Sequence, residues 1–209
     1  MKTLFLLFLI QLQLLGADNF SKNVIENAKN KYGDKVVSKI SYWNEMIEKG
    51  KSSDLVNKLK IVNDFFNNVQ YMTDILHWQT EDYWATPMEF VGSAGGDCED
   101  YAIAKYFTLI KVGVDESKLR LGYVKYLKKS SEFEEAHMVL LYFHKEDAIP
   151  IVLDNIVKKL ELATDREDLK LIYSFNAQGL WEAKNKGKEH VKVGENKLLK
   201  WKNLIDKFE

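Results

Sequence analysis

The chain begins with an apolar run from Leu4 to Leu15, preceded by Met1-Lys2-Thr3 and followed by Gly16-Ala17-Asp18. After it, apolar residues recur at helical spacing through Asn19–Tyr32, Asp34–Lys49 and Ser53–Tyr71. In the second segment they are Val36, Val37, Ile40, Trp43, Met46 and Ile47, and in the third they include Leu55, Leu59, Val62, Phe66 and Val69. Such a stripe predicts amphipathic helices packed on a common core. Gly33 and Gly50-Lys51-Ser52 break the pattern, and Ser52 or Ser53 is available as a cap for the third helix. Residues 74–96 carry scattered aromatics, Pro87, Gly92, Gly95 and Gly96, which reads as an irregular loop. From Asp97 to Ile110 no breaker interrupts a largely apolar side, so a buried helix is expected to start at Asp97 or Cys98.

Beyond Gly113 the pattern shortens to runs rich in Val, Ile, Leu, Tyr and Phe: Leu119–Leu127, His137–His144, Ile149–Leu153 and Leu169–Phe175. These predict the strands of an antiparallel sheet. The tail Asn196–Phe208 returns to helical spacing. Helices first and strands later give a single α+β domain over residues 18–209.

The opening run has the charged start, apolar middle and small-residue exit of a secretory signal over residues 1–17. It is shorter than the roughly 20 apolar residues that cross a bilayer, so the expectation is export and no membrane embedding after cleavage. With 30 basic and 31 acidic residues there is no net field to attract nucleic acid. Cys98 is the only cysteine, so no internal disulfide can form.

A cysteine in the first turn of a helix has its sulfur near unpaired backbone N–H groups and the positive end of the helix dipole, which favours thiolate. Gly95-Gly96 would let the chain turn sharply before it, and the Cys98 N–H could donate to an oxyanion. The competing reading is a buried structural cysteine. His137 and Asp154 lie on consecutive predicted strands. A two-residue turn at Lys145-Glu146, with His144 opposite Asp147, would set His137 directly opposite Asp154 on one face. The carboxylate would then fix the ring tautomer and leave the other nitrogen for the thiol. Asp97, Glu99 and Asp100 oppose a thiolate, and hard carboxylates so clustered suit Ca²⁺, although acids in a first turn also serve as helix caps. Trp78 and Trp84 either line a cleft or pack in the core, while His77, His144 and His190 lack metal-ligand spacing. Asn155 would point away from the face of Asp154 if the strand continued.

The string Gly95-Gly96-Asp97-Cys98-Glu99-Asp100-Tyr101-Ala102-Ile103-Ala104-Lys105, with Ala136-His137-Met138 and Leu153-Asp154-Asn155, resembles the bacterial transglutaminase-like cysteine proteinases. The likeness extends from about Trp78 to Trp181. It implies a papain-like and transglutaminase-like core, with a cysteine-bearing helix on an antiparallel sheet and additional N-terminal helices. It implies a triad of Cys98, His137 and Asp154 and a calcium site at Asp97, Glu99 and Asp100. In the family the protease is periplasmic and cuts a large surface adhesin near its N-terminus at a paired-alanine sequence, which detaches the cell from a biofilm. An inner-membrane cyclic di-GMP receptor sequesters it. The same three groups would also serve a crosslinking transglutaminase or a cell-wall amidase, and a non-catalytic calcium-dependent binding protein is the reading from a different class.

Overall fold

The computed structural model describes residues 19–128, 133–146, 148–184 and 189–208. The expected signal at residues 1–17 lies outside the described residues. Three helices come first: α1 (Lys22–Tyr32), α2 (Lys35–Lys51) and α3 (Leu55–Phe66). Ser21 caps α1 by accepting from the Val24 N–H, and Gly33 ends it in the left-handed region at φ 82°. The cap of α3 is Asp54, not either serine: its carboxylate accepts from the Asn57 N–H at 3.0 Å, while Ser52 terminates α2. An ionised acceptor at that position is the stronger partner for the free amides.

The expected loop at 74–96 contains two short helices, α4 (Asp74–Trp78) and α5 (Pro87–Ser93). The signal for α5 was present in Thr86-Pro87-Met88-Glu89. Thr86 accepts from the Glu89 N–H, the Glu89 carboxylate accepts from the Thr86 N–H, and Pro87 occupies the first turn. Thr86→Ala should therefore cost about 1 kcal/mol, measurable as a lower midpoint in urea denaturation.

Helix α6 (Cys98–Lys111) runs through the middle of the molecule, buried from Asp100 to Leu109. Gly50 of α2 lets the two helices approach closely, since an added methyl would stand 2.7 Å from Val112 Cγ1. The Trp43 indole donates to Thr108 Oγ1 across the same contact. Lys105 of α6 is fully buried, and its Nζ has no hydrogen-bond partner among the described residues.

Among the described residues the main sheet has seven antiparallel strands in the order β6-β5-β4-β3-β7-β8-β9. They are β3 (Leu119–Leu127), β4 (Glu134–Tyr142), β5 (Ile151–Leu153), β6 (Glu161–Leu162), β7 (Leu169–Asn176), β8 (Gly179–Lys184) and β9 (Glu189–Gly194). The short runs of β6, β8 and β9, with glutamate, lysine and glycine, carried too weak an alternation to be read from sequence. Met138, Leu140 and Tyr142 of β4 join the core with α6, whereas Val139 and Leu141 join Val124 and Val152 in a smaller cluster on the opposite face. Helix α7 (Leu199–Asp206) then returns to the main core through Trp201, stacked on Phe107.

Candidate active site

Cys98 is the first residue of α6, with Asp97 as its N-cap. The two glycines before it do not form the expected sharp turn. They make a two-residue strand, β2 (Gly95–Gly96), parallel to β1 (Gln70–Tyr71), and Met72 N–H donates to the Gly96 carbonyl at 2.9 Å. The turn is taken one residue earlier by Ala94, left-handed at φ 63°. What β2 requires is the absence of side chains. A methyl on Gly96 would collide with the Asp100 carboxylate and stand 2.7 Å from Phe90 Cδ2.

His137 Nε2 lies 2.9 Å from Asp154 Oδ1, and both side chains are buried. The strand register that brings them together differs from the expected one by two residues. Leu140 faces Leu153 and Tyr142 faces Ile151, so Asp154 lies just past the end of β5 and reaches His137 diagonally. A shift of two keeps the parity, so the two side chains still share a face. Pro150 has no N–H to extend the ladder, and β5 begins only after it, at Ile151. The partner residue proposed for the two-residue turn, Asp147, lies outside the described residues.

Asp154 is held by more than the histidine. Its Oδ1 accepts the Ile156 N–H at 3.0 Å, its Oδ2 accepts Arg166 Nη2 at 2.7 Å, and its carbonyl accepts the Asn67 amide of α3 at 2.8 Å. Arg166 is fixed in turn by a two-point pairing with Asp168. Burial pushes the Asp154 carboxyl up, but the His137, Ile156 and Arg166 hydrogen bonds outweigh it and hold the group well below the usual carboxylate range. Sequence reasoning missed Arg166 and Asn67, although Arg120 and Arg166 are the only arginines among 30 basic residues.

The acids around Cys98 fall into two sets that share Asp97, and one of them includes a residue from outside the turn. Asp97 and Glu99 offer oxygens beside the sulfur, and Asp74 joins Asp97 and Asp100 in a set whose oxygens lie within 4.8 Å of one another. Asp74 was missed because it stands 23 residues before Asp97, beyond any local spacing rule. Asp74 Oδ2 accepts the Tyr83 N–H and Asp100 Oδ1 accepts the Ala85 N–H, yet Asp74 Oδ1 and Asp97 Oδ1 are buried with no partner among the described residues. Burial, then Glu99, pushes the Asp97 carboxyl up, and burial raises Asp100 to about 8. Cys98 Sγ donates to Glu99 at 2.9 Å. Burial first and Glu99 second push this thiol well above its ordinary value, against the Met138 N–H, which favours thiolate. Orphaned, partly charged carboxylate oxygens of this kind fit a hard divalent cation.

Two grooves meet at Cys98 and His137. One, of about 680 Å³, is walled by Ile75, Trp84, Tyr123, Tyr173 and Leu199. The other, of about 520 Å³, is walled by Tyr101, Tyr126, Asn155 and Ile156. Trp84 thus does both jobs open to it, since it also stacks on Phe175 at 5.8 Å. Trp78 packs on Tyr83 and His77. Among the described residues no helix is long and apolar enough to cross a membrane.

A cysteine opening a buried helix and a histidine paired with a buried carboxylate on an antiparallel sheet, with the cysteine and the histidine lining the same grooves, fit the class of cysteine proteinases. The chain belongs to the bacterial transglutaminase-like cysteine proteinases, whose family model matches residues 34–187. Among solved structures it is similar to Legionella pneumophila LapG, at 38% identity and a TM-score of 0.76, over 90% of this chain and 95% of that one. It is equally similar to a calcium-bound form of that protein (37%, TM-score 0.76, covering 91% of this chain and 100% of that one). An EGTA-treated form gives 36% and 0.77, covering 92% and 100%. A comparison with curated proteins finds no match.

Proposed function

We propose that this protein is a calcium-dependent cysteine endopeptidase using Cys98, His137 and Asp154. The observation that carries the reading is the 2.9 Å contact between His137 Nε2 and Asp154 Oδ1 beside the cleft that Cys98 lines. Because Asp154 takes Nε2, Nδ1 is left to serve the sulfur. Nδ1 accepts the thiol proton as Sγ attacks the scissile carbonyl carbon, and the Cys98 N–H, free in the first turn, donates to the oxyanion. Nδ1 then gives its proton to the leaving amine as the C–N bond breaks, leaving a thioester. Water attacks the thioester carbon, its proton passes to Nδ1, and cleavage of the C–S bond releases the acid and restores the thiol. Asp154, kept ionised by Arg166, stabilises the imidazolium throughout.

Asp74, Asp97, Glu99 and Asp100 would hold the calcium, whose charge offsets the acids that oppose a thiolate. Calcium in a LapG structure 37% identical to this chain supports that assignment. For substrate we propose the N-terminal region of a large surface adhesin with a paired-alanine site, cut in the periplasm to release the cell from a biofilm. The regulator would be an inner-membrane cyclic di-GMP receptor. Both rest on the family resemblance, while export by residues 1–17 rests on the charged start, apolar middle and small-residue exit of that segment. Membership of a proteinase family favours water over an amine as acceptor.

The test is cleavage of such an adhesin fragment by purified protein with calcium, with chelator, and by Cys98→Ala. Cutting that needs both Cys98 and calcium is expected. Cutting by Cys98→Ala, or none by folded wild type with calcium, would overturn the reading.

A further inference from the structure

Between the acid cluster and the C-terminal helix runs a four-residue strap, Asp82 to Trp84 and Ala85. Its amides face inward: Tyr83 N–H donates to Asp74 and Ala85 N–H donates to Asp100. Its carbonyls face outward to two lysines at opposite ends of α7. Lys200 Nζ donates to the Asp82 carbonyl and pairs with the Asp82 carboxylate at 3.1 Å. Lys207 Nζ donates to the Trp84 carbonyl at 2.8 Å and sits 3.6 Å over the Tyr83 ring. Asp82 itself takes a left-handed backbone, φ 52°, a conformation that aspartate enters more readily than most non-glycine residues.

The inward amides occupy Asp74 Oδ2 and Asp100 Oδ1, and thereby turn the orphaned Asp74 Oδ1 toward the space it shares with Asp97. We propose that Lys200 and Lys207 are positioning residues for the metal ion: by pinning the strap they preorganise Asp74 and Asp100, and so set calcium affinity from outside the coordination shell. The proposal rests on the calcium reading above. Nothing in it requires either lysine to touch the ion, whose charge would repel them. Their attraction is to carbonyls on the far side of the strap, and the effect on the ion is transmitted through two backbone hydrogen bonds.

The experiment is calorimetric titration of the full chain with calcium chloride alone, for wild type, Lys200→Met, Lys207→Met, the double variant and Lys207→Arg. Each lost charged hydrogen bond should weaken binding about threefold and the double loss about tenfold. Lys207→Arg, which still donates, should bind nearly as wild type, a rescue that loss of bulk packing would not predict. Lys200 is half-exposed, so Lys200→Met gives a reading even where Lys207→Met does not fold. Wild type that binds no calcium would overturn the calcium reading itself. Wild type that binds, with Lys200→Met and the double variant unchanged, would overturn this inference alone.

Discussion

Arg166→Met is expected to destabilise the protein by about 3–5 kcal/mol at neutral pH and to lower kcat with little change in KM. The guanidinium is almost wholly buried and is the cation shared by Asp154, itself fully buried, and Asp168. Removing it leaves a buried carboxylate with one fewer partner, and that uncompensated charge is what costs, more than the lost pairing. The acid would also be free to swing, and a shift of about 1 Å in a catalytic group can cost up to roughly 100-fold in rate. The pH dependence has a definite sign. Asp154 faces His137 and Arg166, with Lys105 in the same field, and its folded-state pKa is depressed. Its contribution is therefore complete above the unfolded value, about 4, and is lost as pH falls further. The stability gap between wild type and Arg166→Met should be widest near neutrality and narrow in acid. Arg166→Lys should recover only part of the loss, since an ammonium cannot make the two-point pairing with Asp168. Urea titrations across pH, with kcat and KM at neutrality, check both halves; equal stability of Arg166→Met and wild type at pH 7 would contradict the argument.

The second large effect runs the other way. Lys105→Met should stabilise the fold at neutral pH. Burial lowers the Lys105 pKa to about 7, with Asp154 and Asp64 only partly opposing it, and the amine has no hydrogen-bond partner among the described residues. Between that value and the unfolded value of 10.5 the unfolded chain holds a proton that the folded chain does not. Wild-type stability therefore rises with pH across this window, and the full penalty applies below about 7. At about 1.4 kcal/mol per unit the penalty reaches up to about 5 kcal/mol. Methionine fills similar volume without the charge. Its advantage in thermal midpoint should be largest at pH 7 and shrink toward pH 10; an advantage that does not shrink would show that packing, not protonation, is responsible.

The helices and central strands were legible because their apolar periods are long and uninterrupted. Leu119–Leu127 coincides with β3, and α6 begins at Cys98. Strands β1, β2, β6, β8 and β9 and helix α4 were not, because two to six residues with little alternation give no period to read. The candidate site was legible where its parts are local or few: one cysteine, a turn of acids, a histidine on one strand and an aspartate just past the end of the next. It failed where partners are distant in sequence. Asp74 meets Asp97 through the pairing of β1 with β2, and Asn67 reaches Asp154 from α3. Neither leaves a spacing signature. Arg166 left a mark of composition instead: the chain otherwise uses lysine, and both of its arginines prove to be buried, where a planar fork is needed.

The split origin of the acid cluster has a mechanical meaning. An ion shared by Asp74 and the turn at Asp97 would tie together points roughly 23 residues apart and close a loop of chain. In a protein whose single cysteine is committed to the cleft, that tie is a staple with the topology of a disulfide but the reversibility of an equilibrium. Withdrawing calcium would then loosen the α4–α5 segment as well as quiet the thiol, and resistance to proteolysis along Gln79–Thr86 would track the calcium concentration of the medium.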